Sequence, residues 1–178
     1  MYRLDRMSVM VVDDNRHMLN LIEEILRGLN IRNVSSKLGA AEAFKEMQIS
    51  AVDIVICDQM MEPLSGIEFT QLLRTSKDSP DRFVPVIMVT GNSDFGTVRA
   101  AREAGVTEFM VKPVSAKGLY ARILEVINNP RPFLRTKSFF GPDRRRRVIQ
   151  FDGGDKRKKT PKEKDPGDVE MIPVGGHA

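Results

Sequence analysis

The sequence predicts a doubly wound α/β domain built on a five-stranded parallel sheet, followed by a basic extension of different character. Two observations lead there. Four short, largely apolar runs and a weaker one around Val34 alternate with segments whose apolar residues recur every three or four positions, and the strong runs stop at polar or charged residues. In addition, 61 of the 73 apolar residues precede residue 130, so the core has to come from the first part of the chain.

The first run is Met7–Val12, which reads as a central parallel strand buried on both faces. It stops at Asp13, Asp14 and Asn15. Met18, Leu19, Ile22, Ile25, Leu26 and Leu29 then follow at helical spacing, in a helix that Asp14 or Asn15 would cap. Val34 and its neighbours make a weak second strand, and residues 40–47 suit a short helix. Val52–Cys57 is a strong third strand ending at Asp58. A loop with Pro63 and Gly66 leads to a helix through Ile67, Phe69, Leu72 and Leu73. Val84–Val89 is the fourth strand, ending at Thr90, and a helix over about residues 94–104 closes on Gly105 as its C′ residue. Phe109–Val111 is the fifth strand, ending at Lys112 and Pro113, and Leu119, Ile123, Val126 and Ile127 mark the last helix. The boundary with the extension falls at Asn128, Asn129 and Pro130, giving a domain over 7–129 and a tail over 130–178.

Charge divides at the same place. Residues 1–129 carry 15 Lys/Arg against 17 Asp/Glu, a balance of −2, while residues 130–178 carry 13 against 7, a balance of +6. No apolar run approaches the roughly 18–20 residues of a membrane span. The N-terminal apolar stretch is too short for a secretory leader, so a cytoplasmic location is the expectation. One cysteine, Cys57, and two histidines exclude a disulfide framework and a zinc module.

Doubly wound sheets carry their sites at the carboxyl ends of the strands. Asp13, Asp14, Asp58, Thr90 and Lys112 all directly follow strands, so they are expected to converge on one rim. Three carboxylates there repel one another unless a cation offsets them, and an all-oxygen ligand set suits Mg²⁺. This inventory fits phosphoryl transfer to a carboxylate. Asp58 is the best acceptor, Asp13 and Asp14 hold the metal, Lys112 pairs with a phosphoryl oxygen, and the Thr90 hydroxyl donates to another. Such esterification exchanges one negative charge for about two, which is enough to drive a switch.

Asp13-Asp14, Asp58, Gly66, Thr90-Gly91 and Phe109-x-x-Lys112-Pro113, in this order, resemble the receiver domains of two-component response regulators, the single-domain chemotaxis regulator included. The resemblance covers about Met7 to Asn128 and implies a bacterial phosphorelay protein with the flavodoxin-like (βα)5 receiver fold. It further implies that Asp58 takes its phosphoryl group from a sensor histidine kinase or phosphotransfer protein. Asp14, Asp58 and the backbone carbonyl of Met60 would bind Mg²⁺ directly, and Asp13 through water. Thr90 and Phe109 would form the switch pair, and the Lys112–Pro113 bond would be cis. The family's usual proline four residues after the acceptor is replaced here by Glu62, with Pro63 one place later. Met60 and Asn92 take the positions that flank the attacking water in the family.

Other chemistries fit less well. A dinucleotide site would need Gly-x-Gly-x-x-Gly after the first strand, where two aspartates would instead repel a pyrophosphate. An aspartyl-phosphate phosphatase would carry Asp-x-Asp, which is absent. The expectation is therefore a switch that phosphorylates and dephosphorylates itself without being a turnover enzyme.

The tail holds six Pro and six Gly and cannot bury a core of its own, so it is expected to be largely disordered and dispensable for folding, with Phe133 to Phe140 the exception that could dock. It shows no periodicity for a DNA-reading helix-turn-helix. Two readings of output stay open. In one, an unnamed downstream protein reads the phosphorylated receiver. In the other, the chain is an adaptor whose Arg144, Arg145, Arg146, Arg147, Lys156, Arg157, Lys158 and Lys159 bind a polyanion (RNA, DNA or anionic lipid) under receiver control.

Overall fold

The computed structural model describes residues 4–91, 94–144 and 169–173. Strands β1 (Ser8–Val12), β2 (Asn33–Lys37), β3 (Ile54–Asp58), β4 (Val86–Thr90) and β5 (Glu108–Val111) form one parallel sheet in the order β2-β1-β3-β4-β5. Helices α1 (Arg16–Gly28), α2 (Ala40–Met47), α3 (Gly66–Thr75), α4 (Phe95–Ala104) and α5 (Ala116–Asn128) make the crossovers. This is the flavodoxin-like doubly wound fold. β3 and β4 are buried along their whole length, as their unbroken apolar sequences require, whereas β2 lies at the edge and is only half-buried.

Alternation along the strands divides the core into two layers. Val9, Val11, Ile54, Ile56, Ile87 and Val89 face α1 and α5, meeting Leu19, Ile22, Leu26, Leu119, Ile123 and Val126. Met10, Val12, Val55, Cys57 and Val86 face α2 and α3, meeting Ala43, Met47, Phe69 and Leu73. Each fully buried side chain of this size stabilises the fold by roughly 1.5–3 kcal/mol. Asn15, rather than Asp14, caps α1, its side chain accepting from the His17 N–H. That leaves both aspartates available at the rim.

A buried arginine ties the lower edge together. Arg74 on α3 donates to the carbonyls of Gly105 (3.2 Å), Arg82 (3.0 Å) and Val84 (2.8 Å), joining α3 to the two segments that enter β4 and β5. Burial pulls its pKa down to about 9, so it remains charged at neutral pH. Gly105 ends α4 at φ 94°, the left-handed conformation expected of a C′ glycine.

Ordered structure continues past residue 129. β6 (Phe133–Arg135), β7 (Phe140–Pro142) and β8 (Glu170–Ile172) form a separate antiparallel sheet in the order β7-β6-β8. Phe133 is buried; its ring lies 5.1 Å from that of Phe83, 5.4 Å from that of Phe140 and 5.2 Å from the Arg74 guanidinium. Arg131 and Arg122 both pair with the buried carboxylate of Glu108 at the start of β5. Tail composition, averaged over 49 residues, conceals this local clustering of phenylalanines beside the receiver. The remaining part of the expected disorder, residues 145–168 and 174–178 with most of the basic positions, lies outside the described residues.

Candidate functional site

Parallel pairing of β1, β3, β4 and β5 brings their carboxyl ends to one rim, beside the switch point where the chain direction of winding reverses. Asp13 follows β1, Asp58 ends β3, Thr90 ends β4 and Lys112 follows β5. Backbone bonds from Lys112 N–H to Thr90 O (2.8 Å) and from Gln59 N–H to Val89 O (2.9 Å) hold neighbouring strand ends level. The structure thus brings together Asp13, Asp14, Asp58, Thr90 and Lys112, as their positions after strands predict.

Asp13 and Asp58 are buried and Asp14 is exposed, yet one carboxylate oxygen of each lies within 4.8 Å of the others. Asp13 Oδ1 accepts the Asn15 N–H at 2.8 Å, and Asp58 Oδ2 accepts the Met60 N–H at 2.9 Å. The Lys112 ammonium sits 2.7 Å from Asp58 Oδ1 and 3.8 Å from Asp13 Oδ2. Apart from that ammonium, neither oxygen has a hydrogen-bond donor directed at it among the described residues.

Burial raises the Asp13 pKa; the Asn15 N–H bond opposes this, and the neighbouring Asp58 charge adds to it. For Lys112 burial works downward, but the Asp58 hydrogen bond and the three carboxylate charges outweigh it and leave the ammonium above its ordinary value. One lysine therefore faces three carboxylates. Two buried, under-bonded oxygens in an all-oxygen cluster fit a hard divalent cation, and Mg²⁺ matches this donor set.

Gly66 fits a close approach, because a Cβ there would overlap the Asp58 carbonyl oxygen. Its helix is fixed by a capping box in which the Ser65 N–H donates to Glu68 Oε2 (2.8 Å) and Ser65 Oγ accepts from the Glu68 N–H (3.3 Å). The Lys112–Pro113 bond is cis, and so is Glu62–Pro63. Phe109 is half-buried against Met88, Ala101 and Val106, beneath α4. Cys57 is buried, and burial pushes its thiol pKa up, consistent with packing rather than reactivity. Asn92 lies outside the described residues.

Sequence reasoning missed one participant. The Thr90 hydroxyl donates to the side-chain oxygen of Gln59, the residue next to the acceptor position. Its place beside Asp58 was the available signal, but the partner across the sheet depends on strand register.

A parallel sheet bearing this acidic, lysine-countered rim defines the receiver class of signalling domains. The chain belongs to the response regulator receiver domain family, whose model matches residues 9–124. The match gives the chain one receiver domain of two-component signalling, over those residues. It is 28% identical over 120 residues to chemotaxis protein CheY of Pseudomonas aeruginosa, covering 67% of this chain and 95% of that protein. It is 27% identical over 120 residues to transcriptional regulatory protein YvrH of Bacillus subtilis, covering 67% of this chain and 48% of that protein. The chain thus spans about half the length of that curated relative, and a smaller share of two others. Among solved structures it matches the receiver domain of sensor histidine kinase PA1611 from Pseudomonas aeruginosa, which holds a magnesium ion in its active site cleft; the TM-score is 0.58 with 27% identity, covering 67% of this chain and 94% of that one. No helix among the described residues is long and apolar enough to cross a membrane.

Proposed function

We propose that this chain is a phosphorylation switch in which Asp58 accepts a phosphoryl group from a phosphohistidine of a sensor kinase or phosphotransfer protein and partner binding changes in response. The observation that carries this reading is the 2.7 Å contact between the Lys112 ammonium and Asp58 Oδ1, inside a cluster with two further carboxylates. An Asp58 oxygen attacks phosphorus, the O–P bond forms, and the N–P bond to the donor imidazole breaks. Lys112 moves from the carboxylate to a phosphoryl oxygen as charge develops there. Asp13, Asp14, Asp58 and the Met60 carbonyl would hold Mg²⁺, which when bound offsets negative charge on the phosphoryl oxygens.

Thr90 then exchanges Gln59 for a phosphoryl oxygen, and Phe109 follows into the space released, so a charge event becomes a packing change. The role is that of a cytoplasmic signalling protein rather than a turnover enzyme. Intact-mass measurement after treatment with acetyl phosphate and Mg²⁺ tests the assignment. One phosphoryl increment is expected on the parent and none on Asp58→Asn or after chelation of the metal; an increment retained by Asp58→Asn would place the acceptor elsewhere.

A further inference from the structure

We infer that the groove between α4 and the end of β7 is a binding site for single-stranded RNA. It is a cavity of about 560 Å³ lined by Phe95, Val98, Arg99, Arg102, Glu103 and Arg144. Three guanidiniums meet one carboxylate there, a net excess of two positive charges, and none of these residues belongs to the acidic rim. Phe95 is 83% exposed, the highest value among the exposed large apolar side chains of the described residues. An aromatic ring left in water beside converging arginines has the composition that stacks a base while pairing its phosphates.

The placement follows from helix geometry. Phe95, Val98, Arg99 and Arg102 recur at three- and four-residue intervals, so they line one stripe about 10 Å long on α4. Ala101 and Ala104 take the opposite, buried face. Arg144 completes the groove from the other side, its guanidinium held 4.4 Å from the centre of the Phe139 ring. In sequence Arg144 opens the run Arg144–Arg147, one of the two four-residue basic clusters of the tail.

The carboxylate selects among polyanions. Glu103 Oε1 accepts from Arg99 Nε at 3.0 Å, which aligns that guanidinium and leaves the second oxygen of this groove-lining carboxylate as an acceptor. A ribose 2′-hydroxyl can donate to it, whereas deoxyribose offers no donor and the side chains of an acidic peptide would be repelled by it. All the cations of the groove are arginines, which suit flat stacking and bidentate phosphate contacts better than lysines do.

Fluorescence anisotropy of the full chain with a labelled uridine oligonucleotide tests this, alongside the matching deoxyuridine oligonucleotide and a polyglutamate peptide. Binding to the RNA is expected to weaken by about tenfold or more between about 50 and 200 mM salt. Phe95→Ala is expected to lose about fivefold or more in affinity, the effect of removing one stacked base; because this ring is exposed, the variant keeps its fold. Arg102→Glu should lose at least as much. A loss below fivefold for Phe95→Ala would assign binding to the basic run alone and overturn the groove. Equal or tighter binding of the deoxyuridine oligonucleotide, tighter binding of polyglutamate, or no binding of the RNA at the lower salt would each overturn the RNA assignment.

Discussion

Replacing Phe133 by alanine tests whether the segment after α5 belongs to the folding unit of the receiver. The ring is 3% exposed and packs on Phe83, Phe140 and the Arg74 guanidinium. Phenylalanine-to-alanine changes in cores cost about 3–5 kcal/mol. This site lies at the rim of the domain, where water and neighbouring rings can partly refill the space, so the lower end, about 3 kcal/mol, applies. For a chain of this length each kcal/mol corresponds to about 2–4 °C in Tm, giving a fall of roughly 6–12 °C. Circular dichroism melts of parent and variant measure it, with the urea midpoint at unchanged slope as a second reading. Met171→Ala, at a side chain 66% exposed on β8, serves as control and should stay within about 0.5 kcal/mol. Truncation after Asn129 removes the same ring and the Arg131–Glu108 pair, so it should destabilise at least as much as Phe133→Ala. A fall in Tm below about 2 °C for both Phe133→Ala and the truncation would refute the reasoning and return the tail to the dispensable status its composition predicts.

The rim yields further predictions. Asp13 has a folded-state pKa above its ordinary value, so the folded protein binds the extra proton and stability without metal should fall as pH rises from the ordinary aspartate range through the raised one. Asp13→Asn keeps an acceptor for the Asn15 N–H and removes that penalty. Its Tm in chelator should exceed the parent's at neutral pH and converge with it in acid; a lower Tm at neutral pH would count against carboxylate repulsion as the dominant effect. Gln59→Leu removes the acceptor that competes for the Thr90 hydroxyl, a bond worth about 1 kcal/mol. The phosphorylated fraction at limiting acetyl phosphate should rise several-fold in its ratio to the unphosphorylated form, and an unchanged ratio would remove Gln59 from the switch.

The receiver fold was readable because parallel strands buried on both faces have no polar alternation to obscure them. Ile54–Cys57 and Val86–Val89 are continuous apolar runs, and Asp58 and Thr90, which end them, are residues of the rim. Adjacency of β1, β3 and β4 adds the distances, not the participants. Asn33–Lys37 was the weakest strand to read because an edge position buries little of it. What stayed hidden depends on contacts between distant segments. Arg74 occupies an ordinary helix position by sequence, and only its three carbonyl acceptors reveal it as a buried tie. β8 pairs with β6 from more than thirty residues away, beyond any local pattern. The Gln59–Thr90 bond likewise joins neighbours in space that the chain separates by |i−j| = 31.

The order β7-β6-β8 has a topological consequence for the cationic stretch. Pro142, which ends β7, lies level with Phe133 on one side of β6, and Glu170, which starts β8, lies level with Arg135 on the other. In sequence the basic positions after Arg144 fall between two strands that both pair with β6. While the backbone is intact, β8 returns to β6 as an intramolecular partner at high effective concentration. A single proteolytic cut within 145–168 makes that return bimolecular, and a strand of three residues with Met171 66% exposed has too little buried surface to hold a separate peptide. One nick would thus shed the C-terminal piece, β8 included, and leave β6 paired with β7.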